Sequence, residues 1–254
     1  AFTAGYLGEA MPEVTAMPGD GFVLPRAFWD YFWGHLDAQR TGAFAPEELT
    51  ARVAMLGVTL PVERRDVWEA ASRAHPKTAE AHLRPMPPKL TLQELAVQPE
   101  DSLARDFHAL IVAMGFDLEV LDRSGLETLP PALAYLNARI LQMHDVWHLM
   151  GGFRFTALHE VAISTFQLEQ FNHGYSAMFL AAAATGIACG GSDGAPVMLT
   201  IAEAWQHARA TPSLMGIAWE KEWSASVDDL RTRHGIKAFK GSLPPDLFEC
   251  PQAA

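Results

Sequence analysis

Two histidines and an aspartate fall within five positions of an apolar stretch, His144-Asp145-x-x-His148, and Glu160 follows after eleven intervening residues, across the pair Gly151-Gly152. Imidazole and carboxylate are side chains that bind divalent cations, and histidines four apart on a helix present both rings to one side. At about 100° per residue, His144 and His148 lie about 40° apart, with Asp145 within about 100° of each. Such groups bordering an apolar stripe are costly to bury alone, and one cation would satisfy all three. Glu160 would point about 160° away from His144 on a straight helix. It can join them only if the chain folds back, and the diglycine tolerates the backbone angles of a sharp exit. The expectation is helix, glycine turn, helix, with Glu160 in the first turn of the second helix and ligands on both walls. Mixed nitrogen and oxygen donors suit zinc, iron or manganese without choosing among them. The ordinary alternative leaves His144 and Asp145 partly exposed and His148 hydrogen-bonded in the core.

The elements that must position these groups read as helices. Leu136, Ile140, Met143, Trp147 and Met150 recur at steps of 4, 3, 4 and 3, a stripe that Pro131 can open and the glycines can close. Thr156 can cap a second helix running to about His173. Further helices are expected over 175–188, 197–210 and 213–234, where Trp219, Trp223, Val227 and Leu230 form a stripe suited to the core or a dimer seam. Upstream, the pairs Phe28/Phe32 and Trp29/Trp33 predict a helix over 25–39. Others are expected near 46–56, 61–74 and 102–114, the last between a Ser102 N-cap and a Gly115 stop. The five prolines of HPKTAEAHLRPMPPKLTLQELAVQPED make a loop-rich connector with one short helix. Strand alternation is scarce, so the expected class is all-α, a single-domain helical bundle. Residues 1–100 form an N-terminal helical segment and connector packed on a core of 101–254.

The formal charge of −11, from 30 acidic and 19 basic residues, repels phosphate backbones and argues against a nucleic-acid partner. Cys189 and Cys250 make no disulfide framework and fit a reducing compartment. AFTAGYLGEAMPEV lacks the basic-then-apolar pattern of a signal peptide. The oiliest run, YSAMFLAAAATGIACGG, is too short and too rich in small residues to span a membrane. The expected location is cytoplasmic, with membrane contact at most peripheral. Gly190-Gly191-Ser192-Asp193-Gly194 fits G-x-S-x-G but follows a helical run where a nucleophile elbow needs a strand. Glu169/His173 and Glu203/His207 are spaced i,i+4, not the i,i+3 of a ferritin-like di-iron site. A phosphohydrolase built on His144-Asp145 would need His108 and Asp193 in register, and no further motif supports that.

The run H-D-x-x-H, eleven residues, then Glu, with Gly152 four after the second His and Glu-Val-Ala beginning at Glu160, resembles the signature of the Coq-four family of coenzyme Q (ubiquinone) biosynthesis proteins. WEKEWSASVDDLRTRHGI (219–236) resembles the same family's W/Y-E-x-x-W-x-x-x-L-x-x-L-R-x-x-x-G-I ending. The resemblance implies an all-helical fold, a metal usually assigned as zinc, and a role on the aromatic head group of polyprenylated quinone precursors. That role is described both as scaffolding other quinone-biosynthesis enzymes and as oxidative removal of the C1 carboxyl group. Carried over, His144, Asp145, His148 and Glu160 are the metal site and the catalytic residues. A homodimer, partner biosynthetic enzymes and attachment at the inner face of the inner membrane belong to the same expectation. The surroundings depart from the family: His159 stands where it has Gly, Ser164-Thr165-Phe166-Gln167 where it has K-W-F-E, and the run from Asn172 to Met178 where it has Q-T-G-L-P-M.

A cation with open positions can polarise a phenol or carboxylate, or bind water or oxygen. Placed on the adjacent oxygen, it would stabilise charge as C1 is protonated or oxidised. His159 and His173 are candidates for proton transfer, although His159 could equally be exposed. Arg139, one turn before the motif, is a candidate partner for a substrate carboxylate, with a surface arginine as the plainer alternative. Phe153, Phe155, Phe166, Met178 and Phe179 are candidates to line a groove for the prenyl tail, though such residues more often fill a core. The non-enzyme alternative is a scaffold for quinone intermediates, its metal closed by four protein ligands.

Overall fold

The computed structural model of the protein describes residues 15–16, 23–24, 26–41, 62–80, 83–115, 118, 129–190 and 193–248. The helix expected near 46–56, Cys250 and the side chain of Cys189 lie outside them. The fold is all-α. Its strands, among the described residues, are the two-residue β1 (Thr15–Ala16) and β2 (Val23–Leu24), paired antiparallel. Helices α1 (Arg26–Thr41) and α2 (Val62–Ala74) precede the connector, whose one short helix, α3 (Leu92–Ala96), is held by a capping box between Thr91 and Glu94. Then come α4 (Leu103–Met114), α5 (Pro131–Gly151), α6 (Ala157–Phe171), α7 (Gly174–Gly190), α8 (Ala195–Ala210), a 3-10 turn (Trp219–Lys221) and α9 (Val227–His234).

The boundaries follow local chemistry. Ser102 accepts from Arg105 N, and Gly115, at φ 68°, ends α4 as expected. Pro131 opens α5, where its missing N–H would have had no helical acceptor. The next two amides, Ala132 N and Leu133 N, donate at 3.3 and 3.0 Å to the Glu69 carboxylate of α2. α5 is buried over most of its circumference because α2, α4, α6 and α9 all pack on it. Its Trp147 is fully buried with its ring 4.6 Å from that of Phe171 of α6. Burying a side chain of this size contributes roughly 1.5–3 kcal/mol. α6 lies against both α7 and α8. Its buried Gln170 ties it to α8, donating to Ala208 O (2.8 Å) and Thr211 O (3.0 Å) and accepting from Leu214 N (3.3 Å). Every polar atom of that amide used this way is satisfied, which is what its complete burial demands. A smaller cluster forms where Phe32 and Leu36 of α1 meet Ala182, Met178 and Phe179 of α7.

One expected helix does not form. Residues 213–234 are not one helix; the chain makes only the 3-10 turn and then α9, restarted by Ser226, which accepts from Asp229 N. The carbonyls of Trp223 and Ala225 are spent on the free N-terminal amides of α4, accepting from Ala104 N (3.2 Å) and Leu103 N (2.8 Å). A continuous helix would have kept those carbonyls for itself. Trp219 is fully buried and Trp223 stacks on Phe107 at 6.1 Å, so these indoles belong to the main core. At the G-x-S-x-G run, α7 extends to Gly190 and α8 begins at Ala195, a helix–helix junction with no strand before it.

Candidate metal centre

The bend that brings the ligand walls together is made by Gly152. It follows α5 in the left-handed region at φ 71°, and a Cβ there would lie 2.7 Å from the Ala238 Cβ, so glycine alone fits. The last four carbonyls of a helix have no helical donor, and here each is accounted for. His148 O accepts from Gly152 N and Phe153 N, Leu149 O from Arg231 Nη2 (2.8 Å), Met150 O from Arg231 Nε (3.0 Å) and Gly151 O from Phe239 N (2.7 Å). The loop is fixed from the far side by His159, whose Nδ1 accepts from Arg154 N at 2.8 Å. Thr156 precedes α6 but does not cap it with its side chain; its hydroxyl donates to Pro245 O (2.7 Å).

With the chain turned, Glu160 stands in the first turn of α6, facing α5. Its Oε1 lies 3.2 Å from His148 Nε2 and its Oε2 3.5 Å from His144 Nε2, and the two Nε2 atoms are 3.2 Å apart. A carboxylate oxygen of Asp145 and one ring nitrogen from each histidine also lie within 4.8 Å of one another. Zinc-type bonds of about 2.0–2.2 Å give donor–donor edges of about 3.3–3.6 Å in a tetrahedron. The two Nε2 atoms are thus about as far apart as two ligands of one small cation, with one oxygen of Glu160 beside each and Asp145 nearby.

The electrostatics agree with that geometry. Burial opposes charge on Glu160, but the hydrogen bonds and positive charge of the two imidazoles hold its carboxyl well below the usual carboxylate range. Burial likewise opposes charge on His144, but Glu160, Asp145 and Gln167 outweigh it and raise its pKa. Exposure decides which side is open: the His144 and Glu160 side chains are 31% and 36% exposed, whereas that of His148 is 0% exposed.

The two imidazoles are held by different means. His144 Nδ1 lies 2.8 Å from the Gln167 amide of α6. His148 is stacked on Phe155 at 4.2 Å, with Phe153 edge-on at 6.5 Å, and its buried Nδ1 finds no hydrogen-bond partner among the described residues. Gln167 enters the sequence reading only as a departure from the family pattern. Its signal is the spacing of seven from Glu160, which returns to the same helix face two turns on.

The other expected site residues are distributed as follows. Arg139 is 4% exposed rather than on the surface, and its guanidinium is taken up by Glu220 and by Gln142 (3.1 Å). His159 is 7% exposed and so not a surface residue; burial, and next His148, lower its pKa. His173 is half-buried, and burial together with His144 lowers its pKa to about 3. Phe153 and Phe166 are core, packed with Phe239 and His207. Met178 and Phe179 are half-buried on α7, Phe179 also against Leu158 and Val161 of α6. Among the described residues, no helix is long and apolar enough to cross a membrane.

Residues 84–240 match the family model described as coenzyme Q (ubiquinone) biosynthesis protein Coq4. The crystal structure of a protein from Nostoc punctiforme PCC 73102, provisionally described as a ubiquinone biosynthesis protein, shares the fold with a TM-score of 0.62 and 21% identity, over 83% of this chain and 97% of that one. No curated protein matches the chain.

Proposed function

This chain belongs to the Coq4 family of coenzyme Q (ubiquinone) biosynthesis proteins, and we propose that it serves that biosynthesis as a metal-dependent enzyme removing the C1 carboxyl group of a polyprenylated hydroxybenzoate-type precursor. The observation that carries this reading is the convergence of His144 Nε2, His148 Nε2 and the Glu160 carboxylate within 3.2–3.5 Å. These three would hold a divalent metal, zinc as the family resemblance implies with iron or manganese as rivals, and Asp145 would be the fourth donor or a base beside it. Bound there, the metal supplies Lewis-acid polarisation of an oxygen on the aromatic ring. The chain's own residues do the rest. The exposed side, along His144 and Glu160, admits the head group, while Phe155 and the core keep water from the His148 side. Asp145, half-buried on the same helix, would take or return a proton at the ring. Half-buried Met178 and Phe179 on α7 offer an apolar path for the prenyl tail. Replacing the C1 carboxyl by hydroxyl, with water as the oxygen source and carbon dioxide leaving, releases two electrons and two protons, which dioxygen from solution would take up as hydrogen peroxide. Partner biosynthetic enzymes, a homodimer and peripheral membrane attachment are parts of the same proposal.

A second reading follows from Asp145. A fourth protein ligand would close the site and make the metal structural, and the protein a scaffold for quinone intermediates. Metal analysis of the wild type beside His148→Ala, coupled to turnover of a prenylated hydroxybenzoate, separates the two. Metal with turnover, both lost in the variant, supports the enzyme. Metal without turnover supports the scaffold, and metal retained by His148→Ala removes the site.

A further inference from the structure

The His144 ring is connected to more than the cation position. Gln167 Nε2 lies 2.8 Å from His144 Nδ1, Gln167 Oε1 accepts from Ser176 Oγ at 3.3 Å, and Ser176 Oγ lies 3.1 Å from His173 Nδ1. Gln167 and Ser176 are buried, at 2% and 0% exposure, so this chain runs from the metal position through protein rather than through solvent. Its polarity follows from donor counting. A neutral imidazole has one N–H and one lone pair. If His144 gives its Nε2 lone pair to a cation, Nδ1 must carry the proton and needs an acceptor. The group at hand is the Gln167 amide, whose two ends exchange by a half-turn of the last side-chain torsion with no change of shape. With the oxygen toward His144, the amide NH2 donates to Ser176 Oγ, and the Ser176 hydroxyl donates to His173 Nδ1. Each donor then has one acceptor.

We propose that Gln167 is a positioning residue: its amide oxygen selects the His144 tautomer that offers Nε2 to a divalent cation, and Ser176 and His173 hold the amide that way round. The proposal rests on the metal reading above. Among the described residues His148 Nδ1 has no such partner, so His144 is the candidate ligand whose orientation depends on a hydrogen bond there. An acceptor behind a ligating histidine typically changes metal affinity by 10–100-fold.

The test uses the full chain, with zinc affinity measured by chelator competition and the visible spectrum recorded with cobalt(II) as probe. Gln167→Leu is expected to weaken zinc binding about 10–100-fold and to shift the cobalt bands. Gln167→Glu, which keeps an acceptor toward Nδ1, is expected to bind zinc at least as tightly as the wild type. Ser176→Ala, a small change that spares the fold if Gln167→Leu does not, is expected to weaken it about 3–10-fold, a partial loss of the same term. Wild-type affinity and spectrum in both Gln167→Leu and Ser176→Ala would overturn the proposal, as would equal weakening by Leu and Glu. If that happens while His148→Ala loses its zinc, Gln167 alone has been misread. If His148→Ala keeps its zinc, the metal reading fails with it.

Discussion

The two imidazoles of this centre are one helical turn apart and live in different surroundings. His148 is completely buried and clamped between rings, with a nitrogen that no described group satisfies. His144 is a third exposed and steadied by a polar chain. One side of the site is dry and rigid through packing, the other is open and directed through hydrogen bonds. A site meant only to staple the fold has no need of the open side, whereas one that meets a substrate needs both.

The sharpest way to break this contrast is to remove each ring in turn. His148→Ala is expected to lose the metal and, in chelator, about 2–3 kcal/mol of unfolding free energy, because it empties a packed site. His144→Ala is expected to lose the metal with less than about 1 kcal/mol of stability. Metal analysis and urea unfolding check both, and equal stability losses would show that the two sides do not differ. Next in size, Gly152→Ala puts a Cβ against Ala238 at a positive φ and should cost about 1–3 kcal/mol. It displaces Phe155 from His148, so zinc affinity should fall with the urea midpoint. Phe155→Ala removes the stacked ring alone and is expected to weaken zinc about tenfold, measured by chelator competition, since stacking is worth about 0.5–1.5 kcal/mol.

The effect that vanishes at neutral pH, and grows only as pH falls, lies at the end of the polar chain. The folded-state pKa of His173, about 3, is below its unfolded value near 6.5. The unfolded chain therefore binds the extra proton first, and stability falls as pH drops from about 6.5 toward 3. His173→Gln is expected to flatten the pH dependence of the urea midpoint in that window by about one proton's worth of linkage. An unchanged slope would mean that His173 titrates alike in both states.

Much of this was legible before any coordinates. The helical period with its caps gave α4, α5 and the break after Gly151, because capping chemistry is local and specific. The fold-back of Glu160 was legible for the same reason: only a bend could reconcile sixteen residues with one site. What sequence could not supply was partnership at a distance. The burial of Arg139 depends on Glu220, 81 residues away, and the break at 213–226 depends on the need of α4 for acceptors. Gln167 was within reach through its spacing from Glu160, but an uncharged amide announces no chemistry by type.

The carbonyls closing α5 draw their donors from Arg231 and Phe239, in the second family-like motif and just beyond it. The two sequence signatures are thus halves of one joint, the first carrying the candidate ligands and the second locking the helix end on which His148 sits. A chain shortened ahead of Arg231 would retain all four candidate ligands yet leave that end free to fray, so the smallest fragment that keeps their arrangement extends well past the last of them.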